Sequence, residues 1–296
     1  DTRDGTGFPS RSGGMGGMGA ADGVSLVYID DEQSSYSAIF DNAETNTNKS
    51  DHARVIEAIK NLNAGTELER YVDVDACLRY FAAHNVVINL DSYSGSMGHN
   101  YYLYENDGQI AILPWDYNMS FGGFQASNAS DVVNFPLDTP VSGTTMDQRP
   151  LIAKLFEVPD YLDSYHTYVR NVMDGYFVDG LFEAKVDEID TLIGASVAED
   201  PSAFYAAEEY RAAVLELKKL GDLRAQSVTG QLNGSIPTTT KAQQADDSAL
   251  IDASSLNLQT LGSSNMGSGG GGMGGGNIGD GGFAGRGGQR PESAVQ

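Results

Sequence analysis

Apolar residues fall into two rhythms along this chain. From residue 51 to residue 88 they recur three and four positions apart, and from residue 101 to residue 113 they alternate. The first spacing marks helices with one buried face; the second marks half-buried strands. Asp51 is placed to cap a helix with Val55, Ile56, Ile59 and Leu62 on one face, closed near Asn63-Ala64-Gly65. A second helix begins at Val72–Asp75, carries Val74, Cys77, Leu78, Phe81 and Ala82 at helical spacing, and runs into Val86-Val87-Ile88, too apolar for a surface. Upstream, residues 23–30 (GVSLVYID) alternate and predict a strand, and residues 34–40 a short helical turn.

The best-defined extended unit is a hairpin. Tyr101-Tyr102-Leu103-Tyr104 is aromatic and strand-forming, Asn106-Asp107-Gly108 is turn chemistry, and residues 109–113 return. Residues 125–148 are rich in Asn, Ser, Thr, Asp and Pro and predict a long irregular loop. A loop of that length in a domain is expected to face substrate or nucleotide. Beyond it the chain turns helical: residues 151–156, a helix opened by Pro159 with a stripe from Tyr161 to Tyr176, an acidic helix over 181–193, and one from Asp200-Pro201 to Val228. The stripe is read as core.

Composition changes this picture at the ends. Residues 1–22 and residues from about 263 onward are dominated by Gly, Ser and Met, a composition that cannot bury a core and predicts disorder. The expected division is therefore 1–22 as a Gly/Met-rich segment, 23–235 as the folded domain, and 236–296 as linker and Gly-rich tail.

Charge narrows the partners. With 41 acidic against 18 basic residues, a net charge of −23 disfavours nucleic acid and anionic membrane, which need clustered Lys and Arg. A protein partner fits better, with a basic one matching the sign. No apolar run approaches the roughly 18–20 residues of a membrane span. The single cysteine, Cys77, sits at an apolar helical position and reads as a buried, inert thiol. The four histidines lack zinc-ligand spacing, and no G-x-S-x-G elbow supports a Ser-His-Asp hydrolase.

The candidate chemistry gathers at the hairpin. Asp91 precedes it, Asn100 enters it, and Asp116 leaves it in Pro114-Trp115-Asp116. Folding the hairpin brings these ends toward one another, and a set of two carboxylates and one amide oxygen suits Mg²⁺. Protein kinases use the same order: a base Asp, a metal-binding Asn, a hairpin, a metal-binding Asp. In that reading Asp91 is the general base, Asn100 and Asp116 are metal ligands, and Asn118 and His99 are supporting groups. For Asp91 the other reading is a loop cap; for Asp116 and Asn118 it is an Asx turn. Trp115 is expected to pack the hairpin against the helices. The departures from the kinase pattern are concrete: Asn89-Leu90 stands where His-Arg would, nine positions rather than about five separate Asp91 from Asn100, and Trp-Asp-Tyr-Asn replaces Asp-Phe-Gly.

The string NLDSYSGSMGHNYYLYENDGQIAILPWDYNMSFGGF closely resembles the CotH family, the spore-coat-protein-H-type atypical kinases. LVYIDDEQSSYSAIF, RPLIAKLFEVPDYLDSYHTYV and RAQSVTGQLNGSIP resemble it too, so the likeness spans roughly residues 24 to 260. The resemblance implies an α+β fold like a protein-kinase large lobe, mostly helical with the site on a β-hairpin. It implies ATP with Mg²⁺ or Mn²⁺ as cofactors, transfer of phosphate to Ser or Thr of a partner protein, and a spore-coat or cell-surface setting. The family's small lobe precedes the LVY strand, and Lys49 and Lys60, the first lysines, follow no strand; the chain is therefore expected to lack most of the nucleotide-clamping half, and no cofactor-binding lysine is assigned. The alternative function is a non-catalytic coat or surface assembly module of kinase-like fold. A glycosidase built on the Asp91/Asp116 pair has no further support.

Overall fold

A computed structural model describes residues 23–126, 128–203 and 205–262. The expected Gly-rich segments, 1–22 and 263–296, lie outside the described residues. The chain enters through α1 (Ser37–Phe40) and α2 (Lys49–Ala64), followed by α3 (Leu68–Tyr71) and α4 (Val74–Val86). The hairpin β1 (Tyr101–Asn106) and β2 (Gln109–Pro114) comes next. Then follow α5 (Ala129–Val133), α6 (Pro150–Phe156), α7 (Pro159–Tyr176), α8 (Leu181–Glu199), α9 (Ala207–Leu232) and α10 (Thr240–Ala245). The architecture is helix-rich with one small antiparallel sheet, as the α+β reading expected.

The hairpin forms where its pattern placed it. Register runs from Tyr101 opposite Pro114 to Asn106 opposite Gln109, leaving Asp107-Gly108 as a two-residue turn. Both turn residues have positive φ, 52° and 89°, which gives the twist that suits paired strands. Glu105 accepts the Gly108 N–H at 2.7 Å and takes a two-pronged ion pair from Arg54 of α2 at 2.7 and 2.8 Å. Asp73 N–H donates to the Ile110 carbonyl at 2.9 Å, tying the return strand to the start of α4. Ile110 and Ile112 go to the core, while Tyr102, Tyr104 and Leu113 face solvent. Trp115 does not pack inward as expected: it is 54% exposed and meets Tyr102 edge-on at 5.2 Å.

The main core joins α2, α4, α6 and α7 under the hairpin, with Ile59, Leu62, Cys77, Leu151, Leu155, Tyr165 and Val169 fully buried. Burial pushes the Cys77 thiol up to about 12, so it is inert. The α7 stripe is core only in part: Tyr165, Val169 and Met173 are buried, whereas Tyr176 is exposed at the end of the helix. Asn48, not Asp51, caps α2; Asp51 sits three residues inside and closes a capping box by accepting the Asn48 N–H at 2.8 Å. The last long helix begins at Ala207 rather than at Pro201, because Asp200 spends its carboxylate on the Ser202 N–H and hydroxyl in a local turn.

Three expected boundaries shift for identifiable reasons. Residues 23–30 are not a strand, since no neighbouring strand lies beside them among the described residues; side chains serve their backbone instead. Asn63 donates to the Leu26 carbonyl, Tyr93 to Ser25, Tyr101 to Val24, and Tyr36 takes the Ile29 N–H. The stretch 125–148, described except at residue 127, contains α5 and buried Val132, Val133 and Leu137 rather than irregular chain alone. Residues 236–262, expected as linker and tail, fold back as a strap. Gln243 donates to the Asn134 carbonyl at 2.9 Å, Asn134 and Ile251 exchange two hydrogen bonds of 3.0 Å, and Ala253 and Leu256 complete a second core with Ile88, Leu90, Val132, Val133, Phe135 and Leu220. The apolar residues of this run, among them Ile251, Ala253, Leu256, Leu258 and Leu261, keep no helical or strand period that would reveal that docking.

Candidate active site

The site begins where α4 stops. Val86 is the last helical residue, and Ile88 then turns into the left-handed region at φ 51°, a conformation costing a β-branched residue about 1–3 kcal/mol. Complete burial of Ile88 in the second core holds it there. The turn aims residues 89–97 back over the end of α4 as a closed loop. Arg224 of α9, 1% exposed, fixes the base of this turn: it donates to the carbonyls of Val133 and Phe135 at 3.1 and 2.7 Å and to the Asn85 carbonyl and side chain at 3.1 and 2.9 Å. Burial lowers its guanidinium to about 9.

Arg149 does the same for the loop itself. It is 1% exposed and pairs with no carboxylate among the described residues; it collects the carbonyls of Tyr93, Gly95 (2.5 Å) and Ser96 (3.3 Å). Burial lowers its affinity for the proton, and the carbonyl oxygens compensate the charge. The loop is drawn so tight that a Cβ at Gly95 would stand 1.8 Å from the Leu90 carbonyl oxygen.

Within this frame Asp91 is held from two sides. Asn100, at φ 53°, donates its side-chain amide to both the Asp91 backbone oxygen and Oδ2 at 3.0 Å. His99 Nε2 lies 2.7 Å from Asp91 Oδ1, yet the pair is out of hydrogen-bond alignment, and both atoms are buried without a directed partner. Asn89 Oδ1 accepts the Asp91 N–H at 3.2 Å. The structure thus brings together three of the residues singled out in the sequence: Asp91, His99 and Asn100. His99 and Asn100 also line a groove of about 670 Å³ bounded by the hairpin and residues 38–47.

Asp116 and Asn118 stand apart. The register that pairs Tyr101 with Pro114 returns the chain toward Asn100, and Asp116 then adopts φ 50° and projects outward. Its carboxylate and the Asn118 side chain are exposed and make no hydrogen bond or ion pair among the described residues; the turn at 117–120 closes instead through Ser120 N–H to the Tyr117 carbonyl at 3.0 Å. Among the described residues no three His, Cys, Asp or Glu side chains cluster as a ready cation site. The donor set nevertheless suits a hard cation: Asn100 spends its amide N–H on Asp91 and keeps its Oδ1, the Asp116 carboxylate is exposed, and Asp91 Oδ1 is buried with no directed donor. Mg²⁺ takes one or two protein carboxylates and completes its shell with water and phosphate oxygens.

Residues that pattern reasoning passed over bind the two segments. His84, 3% exposed in the last turn of α4, has Nδ1 3.1 Å from the Tyr117 hydroxyl and Nε2 2.5 Å from Ser92 Oγ, with Ser94 Oγ at 3.2 Å. Burial drives the imidazole down to about 3 and the Tyr117 phenol up to about 12, so both are neutral near pH 7. Two backbone bonds add to this: Phe121 N–H to the Val87 carbonyl at 2.6 Å and Gly122 N–H to the Ile88 carbonyl at 3.2 Å. In the sequence, His84 and Arg149 are single polar residues with no spacing signal; only their neighbourhood in space marks them.

A cavity of about 900 Å³ lies between Leu90, α5 and the strap, and no candidate catalytic side chain lines it. The family model described as CotH kinase protein matches residues 18–228, well over half of the chain. A search of curated proteins finds no match.

Proposed function

The chain belongs to the CotH kinase family, and from that premise we propose that it is a CotH-type protein kinase moving the γ-phosphate of ATP to Ser or Thr of a partner protein. The observation that carries the reading is the clamp on Asp91: one carboxylate oxygen accepts from Asn100, the other lies beside His99, and the loop is anchored by Arg149. A carboxylate so held is aimed before substrate arrives, which is what a general base contributes to phosphoryl transfer. Asp91 accepts the proton leaving the acceptor hydroxyl at its carboxylate. Asn100 and Asp116 offer the oxygens for Mg²⁺ or Mn²⁺, with Asn118 as an adjacent oxygen. When bound, the cation with ATP supplies charge neutralisation on the phosphates.

The acidic surface and the family resemblance support a basic coat or surface protein as acceptor, and the functional unit includes the strap as well as residues 23–235. No helix among the described residues is long and apolar enough to cross a membrane. A second reading, a non-catalytic assembly module, draws support from one feature: Asp116 makes no contact with the Asp91 cluster.

Calorimetric titration of Mg²⁺-ATP, paired with phosphate incorporation into a Ser/Thr-rich acceptor, tests the proposal. Binding that Asp116→Ala abolishes, and incorporation that Asp91→Ala abolishes with binding retained, is the expected result. Binding and incorporation unaffected by both substitutions, or absent also from a chain extended upstream to supply the nucleotide-clamping half, would leave the assembly reading in its place.

A further inference from the structure

The bonds around His84 have a direction that the local geometry assigns. Ser92 donates its hydroxyl proton to the Asn89 carbonyl at 2.8 Å, so toward His84 it can only accept. His84 therefore carries its proton on Nε2 and donates it to Ser92 Oγ. That leaves Nδ1 bare, and the Tyr117 hydroxyl donates to it at 3.1 Å. The result is one polarised run: Tyr117 to His84, His84 to Ser92, Ser92 to the Asn89 carbonyl. Ser92 is covalently next to Asp91, and Tyr117 is next to Asp116.

A Ser–His contact of this length invites a nucleophile reading, which burial refutes. Ser92 is 0% exposed and His84 3%, so no acyl or phosphoryl donor reaches the hydroxyl, and the second ring nitrogen meets a phenol rather than a carboxylate. The rest of the surroundings is equally fixed: Tyr80 stacks on the imidazole at 4.8 Å and Tyr117 meets it edge-on at 5.6 Å.

We propose that His84 is a positioning residue that locks the Asp91 loop to the Asp116 turn through Ser92 and Tyr117, so that the two carboxylates move as one unit. The functional consequence rests on the kinase reading above; the mechanical coupling does not. The two backbone bonds at Val87 and Ile88 tie the end of α4 to residues 121–122, whereas the His84 run reaches Ser92 and Tyr117, the residues next to the two carboxylates. Its chemistry is short-range, since a single imidazole, with Nδ1 on Tyr117 and Nε2 on Ser92, spans the gap.

The test is a double-substitution cycle in the full chain, using Ser92→Ala, Tyr117→Phe and both together, read by amide hydrogen exchange without ligand. Ser92→Ala is expected to speed exchange at Ser120, across the gap, by about five- to tenfold, the shift expected from one lost buried hydrogen bond. Tyr117→Phe is expected to do the same at Gly95, and the double variant to exceed neither single one appreciably. Variants that each disturb only their own segment, or whose effects multiply, overturn the coupling. A second arm measures Mg²⁺-ATP binding of the same variants beside Asp116→Ala. Coupled exchange with binding indifferent to Asp116→Ala retains the positioning role and sinks the kinase reading; uncoupled exchange with binding lost in Asp116→Ala does the reverse.

Discussion

The two carboxylates that flank the hairpin live in opposite surroundings. Asp91 sits in a loop whose carbonyls are gathered by a buried arginine, whose side chain is gripped by Asn100, and whose entry is set by a buried, strained Ile88. Asp116 sits on an exposed turn in a left-handed conformation, with no side-chain partner among the described residues. One is organised by the protein; the other is left for something else to organise. A group that must meet a substrate hydroxyl gains from being held beforehand, whereas a group that ligates a hydrated cation must let that cation shed water and enter. The difference also separates stability from function. Changes near Asp91 should unfold the protein, and changes at Asp116 should cost it only a ligand.

The largest effect should come from Arg149→Ala. It strips three buried carbonyls of their donor, and a destabilisation of roughly 3–5 kcal/mol is expected by urea unfolding. A loss under about 1 kcal/mol would show that the loop is not braced as described. Next stands Gly95→Ala, whose methyl must displace the Leu90 carbonyl; a cost of roughly 1–3 kcal/mol or more should appear as a lowered urea midpoint with an unchanged slope.

A smaller effect depends on pH. His84 is neutral in the fold down to about 3, while the unfolded chain takes up a proton below the ordinary value of 6.5. Below that value the unfolded state binds more protons, so stability falls as pH drops from about 6.5 toward about 3, at up to roughly 1.4 kcal/mol per pH unit from this group. Unfolding free energies at pH 7, 6 and 5 should show that slope in the unaltered chain and a shallower one in His84→Gln; identical slopes would contradict the assigned burial. The smallest change in stability belongs to Asp116→Ala, expected within about 0.5 kcal/mol of the parent in the same assay. A larger loss there would erase the contrast between the two carboxylates.

Much of this was legible in the chain. The hairpin was readable to its turn residues because strand alternation and Asp-Gly chemistry are local, and α2 and α4 because their apolar faces repeat every turn. The nearness of Asp91 to Asn100 agrees with the Asp-then-Asn order read before the hairpin, whereas the approach of Asp116, expected because a hairpin returns its own ends, is undone by the outward turn at φ 50°. The strand expected over residues 23–30 failed for the converse reason: alternation describes a surface but cannot provide the neighbouring strand that its backbone needs. Trp115 likewise looked like core by composition, and the register placed it on the outer face beside Tyr102. The strap over 236–262 docks through single side chains, Gln243, Ala253 and Leu256, that form no repeat.

What the sequence determined by itself, then, was whatever depends on neighbours along the chain: helix faces, the two-residue turn, and the order Asp, Asn, hairpin, Asp. What only the tertiary structure decided was how distant polar residues are spent. Arg149 lies more than fifty positions from the carbonyls it collects, Arg224 more than a hundred from the Asn85 it holds, and His84 meets Tyr117 across the whole hairpin. Buried polar groups must find partners wherever the fold supplies them, and that pairing has no period to read.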